Sequence, residues 1–222
     1  MHPTHKPRTK ICCISSLDEA AMAIEAGASA LGLVAKMPSG PGVISEAKIA
    51  EIAARVPPGV ATFLLTSELD PRSIIAQQKR TRVNTLQIVD RLEPGAHQEL
   101  RAALPGIALV QVIHVRGQAS LDEAFEIAPH VDALLLDSGN PGLPVKELGG
   151  TGRTHDWSIS RQIREAAPVP VFLAGGLNSA NVAEAIRQVE PFGIDLCSGV
   201  RTEGKLDVDK LNAFFRAVAD AG

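Results

Sequence analysis

The sequence predicts an α/β protein, a single closed (β/α)8 TIM barrel. Three observations lead to this prediction. Eight short apolar segments recur along the chain, a segment with helical periodicity follows each of them, and polar residues do not alternate within the apolar segments. Strands that are apolar on both faces are typical of a parallel sheet covered on both sides. Eight successive strand–helix units in 222 residues favour the closed barrel, with a doubly wound open sheet as the alternative.

Each predicted strand is a short apolar run. In chain order the runs are KICCI (10–14), ALGLV (30–34), VATFLL (60–65), NTLQIV (84–89), IALVQVIHV (107–115), DALLL (132–136), VPVFLA (169–174) and GIDLC (193–197). The first helical pattern, LDEAAMAIEA, is ended by Gly27, and the third begins at Asp70-Pro71, where proline suits the first helical position. The eight predicted helices cover 17–26, 45–54, the segment from Asp70, 95–103, 119–128, the segment from Ser158, the segment from Asn178, and 207–220.

The chain forms one domain after a short polar start. Residues 1–9 (MHPTHKPRT) are predicted to be a mobile N-terminal leader, and they lack the apolar centre of a signal peptide. Residues 10–222 are predicted to form the barrel domain. No Pro-rich or Gly-rich linker divides this segment into two domains.

The composition of the chain argues against a nucleic-acid-binding protein, a membrane-spanning protein and a disulfide-stabilised protein. The net charge of −3, the single Trp and the absence of Tyr argue against a nucleic-acid-binding surface. No segment approaches the roughly 18 apolar residues that a membrane span needs. Three cysteines are too few for a disulfide framework, so we expect a cytoplasmic protein with reduced thiols. Cys12 and Cys13, adjacent in the expected first strand, should point to opposite faces and not bond each other.

Glycine-rich stretches follow three late strands, where a barrel of this kind carries its functional groups. They are GGTG after strand six, AGGLN after strand seven and CSGV after strand eight. Glycine lets backbone N–H groups approach an anion closely, and the loops after strands seven and eight are the usual phosphate site of such barrels. Each stretch alone would suit an ordinary turn, but together they predict a phosphate site.

Two side chains at strand ends have suitable chemistry for proton transfer. Asp137 closes the sixth strand, where it is either a general acid or base or the cap of a turn. Cys12 and Cys13 end the first strand. A thiol has an ordinary pKa of about 8.5, close enough to neutral for proton transfer, but free cysteine is also a common core residue. Cys197 is interpreted as a packing residue.

The histidines do not suggest a metal centre. The six histidines do not cluster, and neither an H-x-x-x-H nor a C-x-x-C pattern is present, so no metal site is predicted. His2 and His5 lie in the leader. His114, late in strand five, and His155, before the sixth helix, are interpreted as structural residues.

The order of these motifs resembles the phosphoribosylanthranilate isomerase family of tryptophan biosynthesis. The motifs are KIC, GASALG, LLLD, GGTG followed by DW, AGGLN and DLCSGV, and the resemblance extends over nearly the whole chain. It implies a (β/α)8 barrel that performs an Amadori rearrangement of a phosphorylated small molecule. It also implies that no cofactor and no metal is needed and that the protein is a monomer or a homodimer.

The resemblance also assigns residues. By motif match the catalytic base is Cys12 and the catalytic acid is Asp137, and Cys13 stands where the family usually has glycine. The residues assigned to phosphate and substrate binding are Gly149, Gly150, Gly152, Gly175, Gly176, Ser198 and Gly199. Asn178 is expected to open and cap the seventh helix.

Several positions around the barrel mouth depart from the family pattern. The segment Lys36 to Ile44 lacks the arginine that the family usually carries after strand two, Gln87 to Asp90 reads QIVD, and His114 and Arg201 replace an arginine and a glutamate. Loss of an arginine that meets a carboxylate removes a contact of about 1.5–3 kcal/mol. Whether Lys36 or Arg201 replaces it is left open.

These departures keep two alternatives open. One is an isomerase that acts on a different phosphorylated aminosugar, and the other is a sugar-phosphate-binding protein without turnover.

Overall fold

In the computed structural model, which describes residues 6–150 and 152–221, eight parallel strands close into one barrel. The strands pair in chain order, and β8 pairs with β1. This closure confirms the predicted barrel and excludes the open sheet. The strands are β1 Arg8–Ile11, β2 Ala30–Val34, β3 Ala61–Thr66, β4 Thr85–Ile88, β5 Ala108–His114, β6 Ala133–Asp137, β7 Val171–Leu173 and β8 Gly193–Leu196.

A helix follows each barrel strand and covers its outer face. The helices are α1 Leu17–Ala26, α2 Glu46–Ala53, α3 Pro71–Thr81, α4 Ala96–Ala103, α5 Ala119–Ile127, α6 Trp157–Ala166, α7 Val182–Val189 and α8 Val208–Ala219. Short 3-10 turns lie at Ala128–His130 and Ser198–Val200, and a small hairpin joins β9 Arg201–Thr202 to β10 Lys205–Leu206. None of the helices in the described part of the chain has the length and apolar character needed to span a bilayer.

The first strand is shifted towards the N-terminus relative to the sequence pattern. It begins at Arg8, whose backbone N–H donates to Phe192 O at 2.9 Å, and it ends at Ile11. Arg8 and Thr9, counted with the leader in the sequence, therefore lie in the barrel. They pair in register with β8, which their polar side chains did not reveal. Residues 1–5 of the expected leader, with His2 and His5, lie outside the described residues.

Side-chain caps fix the starts of several helices. Asp70 accepts a hydrogen bond from the N–H of Ser73, which confirms the predicted start of α3, and Asp156 accepts one from the N–H of Ser158 at the start of α6. The expected cap at Asn178 is wrong, because α7 begins only at Val182. Asn178 instead accepts from the N–H of Ala180 and donates its own N–H to the side chain of Asn181, so local side-chain bonds hold this segment in a turn.

Alternate residues of each strand pack into two separate apolar layers. One layer lies between the strands and the helices and includes Ile11, Leu31 and Leu134; the other fills the barrel and includes Phe63 and Phe172. Period-2 alternation therefore acts inside the barrel although both faces are apolar. Because the layers on both faces of the strands are apolar, the strand sequences show no alternation of polar and apolar residues.

One charged pair lies inside the barrel. Lys10 of β1 and Asp195 of β8 stand in register, and Lys10 Nζ lies 2.8 Å from Asp195 Oδ1. The Lys10 side chain is fully buried, and Asp195 is nearly so. The pair joins the first strand to the last, at the seam where the barrel closes.

We expect Lys10→Met to lower the free energy of unfolding by about 3–5 kcal/mol, because it leaves the Asp195 carboxylate buried without its partner. Urea denaturation of both proteins measures the difference. Lys48→Met is the matched control, since the Lys48–Glu51 pair is exposed and such pairs contribute at most about 1 kcal/mol. Equal losses for the two variants would contradict a structural role of the buried pair.

Candidate active site

A cavity opens at the carboxyl ends of the strands, as the fold requires for a functional site. It has an empty volume of about 710 Å³, which includes the space open to solvent at its mouth. The structure brings eight of the nine residues assigned from the sequence to its wall. These are Cys12, Asp137, Gly149, Gly150, Gly152, Gly175, Gly176 and Ser198.

Cys12 lies just beyond the end of β1 and faces the barrel interior. Its backbone N–H donates to Leu196 O at 2.8 Å, which continues the pairing with β8. A Cβ on Gly32 would lie 2.8 Å from Cys12 Sγ and 2.9 Å from Lys10 Nζ. Only glycine at position 32 therefore leaves room for the thiol above the Lys10 ammonium.

Cys13 does not face the helices, so the expectation of opposite faces is wrong. The strand has ended at Ile11, and Cys13 adopts a left-handed backbone with φ 62°. Its side chain is buried beside Cys12 in the wall of the same cavity and donates to Pro41 O at 3.7 Å. Alternation applies to extended backbone, and this residue is not extended.

Arg201 holds this turn in place. Its guanidinium donates to Cys13 O at 2.7 Å and Cys12 O at 3.2 Å, and it forms an ion pair with Glu19 at 2.8 Å. Arg201 is therefore engaged in positioning the end of β1. It is not in the cavity wall, and among the described residues that line the cavity there is no Lys or Arg. Lys36, the other candidate for the missing arginine, is likewise outside the wall.

Asp137 ends β6 with its carboxyl group buried at the cavity wall. Its Oδ1 accepts from the N–H of Ser138 at 2.7 Å. Burial raises the pKa of Asp137, and the hydrogen bond from Ser138 and the charges of His114 and Lys10 oppose that rise. A carboxyl group with a raised pKa keeps its proton closer to neutral pH, which is the requirement for a general acid.

The glycines of the late loops allow backbone to pack closely around the cavity. A Cβ on Gly149 would lie 2.8 Å from Asp137 Oδ2, and one on Gly176 would lie 2.7 Å from the carbonyl carbon of Arg153. Gly175 and Gly176 both have positive φ, which aims consecutive peptide groups in directions that other residues adopt only with strain. Such backbone offers N–H groups to an anion.

Gly199 is the one assigned residue that does not line the cavity. A Cβ there would lie 2.1 Å from Leu177 O, so this glycine is required for packing between the loops after β7 and β8. It supports the neighbouring Ser198 indirectly, by letting the two loops approach each other.

Two loops meet over the cavity. Ser39, in the loop after β2, donates its hydroxyl to Lys146 O at 2.6 Å in the loop after β6. Lys146 also forms an ion pair with Asp90 at the end of β4. The departing segments after β2 and β4 are thus each held to the loop after β6, through Lys146.

The other residues considered from the sequence, His114 and His155, make contacts that stabilise the fold. His114 is buried, with Nε2 2.9 Å from Val89 O. His155 Nε2 lies 2.7 Å from Ser160 Oγ, and burial lowers the pKa of His155 to about 4. Within residues 6–150 and 152–221, no group of three or more His, Cys, Asp or Glu side chains is arranged to hold a metal ion.

Sequence reasoning missed Asp195, which lines the cavity, and its partner Lys10. The signal was present, because each is the one charged residue of an otherwise apolar strand segment, KICCI or GIDLC. A buried charge is expected only with a partner. The pairing became evident only when closure of the barrel brought β1 beside β8.

Comparison with known proteins gives one consistent result. The family model "N-(5'phosphoribosyl)anthranilate (PRA) isomerase" matches residues 9–217. A curated N-(5'-phosphoribosyl)anthranilate isomerase of Methanocella arvoryzae is 31% identical over 95% of this chain and 97% of its own length, and one of Haloferax volcanii is 35% identical over 96% and 94%.

Solved structures agree with these relatives. The crystal structure of phosphoribosyl anthranilate isomerase from Thermotoga maritima superposes with a TM-score of 0.83 at 28% identity, covering 96% of this chain and 99% of that one. A structure of such an isomerase in complex with reduced 1-(o-carboxyphenylamino)-1-deoxyribulose 5-phosphate has a TM-score of 0.80 at 26% identity, with 96% and 99% coverage.

The raised pKa of Asp137 predicts a pH dependence of stability. In the unfolded chain this carboxyl ionises near pH 3.9, whereas the folded protein keeps the proton to higher pH. The unfolded state then binds fewer protons over this interval, so the free energy of unfolding falls as pH rises from about 4 to the raised pKa.

Asn at position 137 does not ionise, so Asp137→Asn removes this fall in the free energy of unfolding. We therefore expect the variant to unfold at a higher urea concentration than the wild type at pH 7, and we expect this difference to vanish towards about pH 4. Urea midpoints across this range measure it. The exposed Asp122, changed to Asn, is the control for removal of one carboxylate. A gain that does not depend on pH would contradict a raised pKa of Asp137.

Proposed function

Because the chain belongs to the N-(5'-phosphoribosyl)anthranilate isomerase family, we propose that Cys12 and Asp137 carry out the aldose–ketose isomerisation of this family's substrate. The chain is an isomerase that converts N-(5-phosphoribosyl)anthranilate to the carboxyphenylamino-deoxyribulose phosphate. The family gives the overall reaction. The roles of individual residues are our proposal, argued from their positions in the cavity.

Asp137 is the general acid. Its carboxyl group lies in the cavity wall, and burial raises its pKa, which favours the protonated form that a general acid needs. Transfer of this proton to the furanose ring oxygen breaks the bond between that oxygen and C1. The nitrogen lone pair then forms a C1=N double bond, which yields an open-chain Schiff base. The Ser138 N–H, bonded to Oδ1, stabilises the carboxylate left behind.

Cys12 is the general base. As a thiolate it removes the proton from C2 of the Schiff base, and the electron pair moves through C1 to nitrogen, giving an enolamine. Addition of a proton to C1 and loss of the proton from the C2 hydroxyl then give the ketone. Cys12 follows β1 and Asp137 ends β6, so the two groups enter the cavity from well-separated strands and can address different parts of one sugar.

The backbone of the late loops holds the phosphate. Gly175 and Gly176 after β7 and Ser198 after β8 lie in the cavity wall, and Gly149, Gly150 and Gly152 continue it after β6. N–H groups of such loops bind an anion without a cationic side chain. This arrangement agrees with the absence of Lys and Arg among the described lining residues. Anchoring of the phosphate places C1 and C2 towards Cys12 and Asp137.

One observation carries this assignment. A buried carboxyl group with a raised pKa and a thiol share one cavity, and glycine-rich loops complete its wall. The family membership favours this reaction over the two alternatives, another phosphorylated aminosugar and binding without turnover. For the cellular location we propose the cytoplasm, where a thiol base stays reduced. For the assembly we keep monomer or homodimer; one related structure describes monomers generated from the dimeric Thermotoga maritima enzyme.

The proposed base predicts different outcomes at the two adjacent cysteines. We expect Cys12→Ser to lose most turnover, because a hydroxyl is a far weaker base, and Cys13→Gly to retain it. The measurement is the loss of anthranilate-type fluorescence with freshly generated phosphoribosylanthranilate. The reverse pattern would show that Cys13 is the working thiol.

The proposed acid predicts that Asp137→Asn lowers kcat by roughly 10²–10⁴-fold, the usual range for a lost proton donor. Binding of a product analogue, measured by calorimetry, should persist because the phosphate loops are intact. The matched control is Asp90→Asn, since Asp90 lies outside the cavity wall and is paired with Lys146. Full activity of Asp137→Asn would remove Asp137 from the mechanism.

A further inference from the structure

The closed barrel separates the two ends of a substrate that is anchored by its phosphate. The strands follow one another in chain order around the barrel, so β3 and β4 lie diametrically opposite β7 and β8. The loops proposed to hold the phosphate follow β7 and β8, and Cys12 and Asp137 enter the cavity from β1 and β6, which flank these two strands. A ligand held in this way directs its aromatic ring towards β2, β3 and β4.

Apolar side chains form the cavity wall on this side. Val34 of β2 and Leu65 of β3 line the cavity and belong to the apolar layer that fills the barrel. Met37, in the loop after β2, also lines the cavity and packs against the same layer. Such a wall favours an aromatic ring, because contact removes apolar surface of both partners from water. A carboxylate on the ring gains no hydrogen bond from these side chains.

Gln87 of β4 contributes a polar side chain to the same side of the cavity. It stands in register with Leu65 and Val110, which belong to the layer inside the barrel, so its side chain also faces the interior. The residue is only 3% exposed and lines the cavity, and its Oε1 has no hydrogen-bond partner among the described residues. A buried acceptor without a partner is unfavourable, which indicates that a ligand supplies the donor.

Cationic side chains of the surrounding loops are bound elsewhere or lie outside the cavity wall. Arg201 is bonded to Glu19 and to backbone carbonyl groups, and Lys146 is paired with Asp90. Lys36 is exposed and does not line the cavity. Since the described residues of the wall include no Lys or Arg, an aromatic carboxylate makes no charge-assisted contact with them.

We propose that the enzyme also rearranges N-aryl ribosylamine 5-phosphates whose ring carries no carboxylate, because an uncharged ring subsite of Val34, Met37, Leu65 and Gln87 receives the ring. This inference rests on the proposed function, since it concerns the same cavity and the same proton transfers. Gln87 Oε1 accepts the N–H of the arylamine nitrogen, a donor that every such substrate has. This nitrogen gains positive charge when the C1=N bond forms, so the hydrogen bond becomes stronger during the reaction.

The chemistry balances without the carboxylate. Asp137 gives a proton to the ring oxygen as the bond from that oxygen to C1 breaks and C1=N forms, and Cys12 takes the proton from C2. C1 then gains a proton, and the C2 hydroxyl loses one as the C2=O double bond forms. The four proton transfers cancel, C1 is reduced by two electrons and C2 is oxidised by two, so the reaction uses no co-reactant.

The test compares two glycosylamines freshly prepared from ribose 5-phosphate, one with anthranilate and one with aniline. Chromatographic separation of the ketose product from the glycosylamine, corrected for a blank without enzyme, gives kcat/KM for both compounds. We expect the two values to agree within about 10-fold. A charge-assisted contact with the carboxylate would favour the anthranilate compound by roughly 10–150-fold.

Two variants test the ring subsite directly. Met37→Arg places a cation in it, and we expect this variant to prefer the anthranilate compound by roughly 10-fold or more. Gln87→Leu removes the acceptor at similar size, and we expect kcat to fall by roughly 10-fold or more on both compounds, with a smaller change in KM. Gln188→Leu, at an exposed position of α7, is the matched control, and circular dichroism confirms that each variant is folded.

Each other outcome contradicts the inference. A wild-type preference for the anthranilate compound above about 10-fold would overturn it and leave the proposed function standing. No new preference in Met37→Arg would show that the ring does not lie at this subsite. A loss in Gln87→Leu confined to the anthranilate compound would show that Gln87 contacts the carboxylate. Lack of turnover of both compounds would overturn the proposed function, and this inference with it.

Discussion

The ion pair between Lys10 and Asp195 lies at the point on which the rest of the structure depends. A (β/α)8 barrel closes only when its first and last strands meet in one register, and these two residues meet there at 2.8 Å inside the barrel. A one-residue slip of β1 against β8 would turn Lys10 towards the helices and leave Asp195 without its partner. The charge pair thus selects the register between β1 and β8, in addition to joining the two strands.

The position of the proposed catalytic groups follows from this register. Cys12 comes two residues after Lys10 and therefore faces the same interior, above the ammonium group. Gly32 on β2 supplies the space that both groups need. On β6, the same rule of alternation brings Asp137 to the mouth, where burial raises its pKa. The fold and the proposed chemistry therefore depend on each other, because Lys10, which selects the strand register, also lies next to Cys12, the proposed base.

The structure gives a physical reason for some of the departures from the family pattern. Arg201, in place of the usual glutamate, bonds Glu19 and the carbonyl groups of Cys12 and Cys13, so it stabilises a turn in which Cys13 has an unfavourable backbone. The charged side chain of Arg201, next to the proposed phosphate loop, thus stabilises the structure. The altered loop after β2 is held to the loop after β6, because the Ser39 hydroxyl donates to Lys146 O.

The sequence by itself determined the barrel, most of its element boundaries and the side chains available for proton transfer. These follow from local rules: apolar runs form strands, periodic segments form helices, and a strand end in this fold faces the mouth. Only the tertiary structure decided the pairing of Lys10 with Asp195, the left-handed turn at Cys13 and the late start of α7. Each of these depends on segments far apart in the chain or on a departure from regular backbone. Local patterns carry information about neighbouring residues, whereas closure of the barrel brings residue 10 beside residue 195.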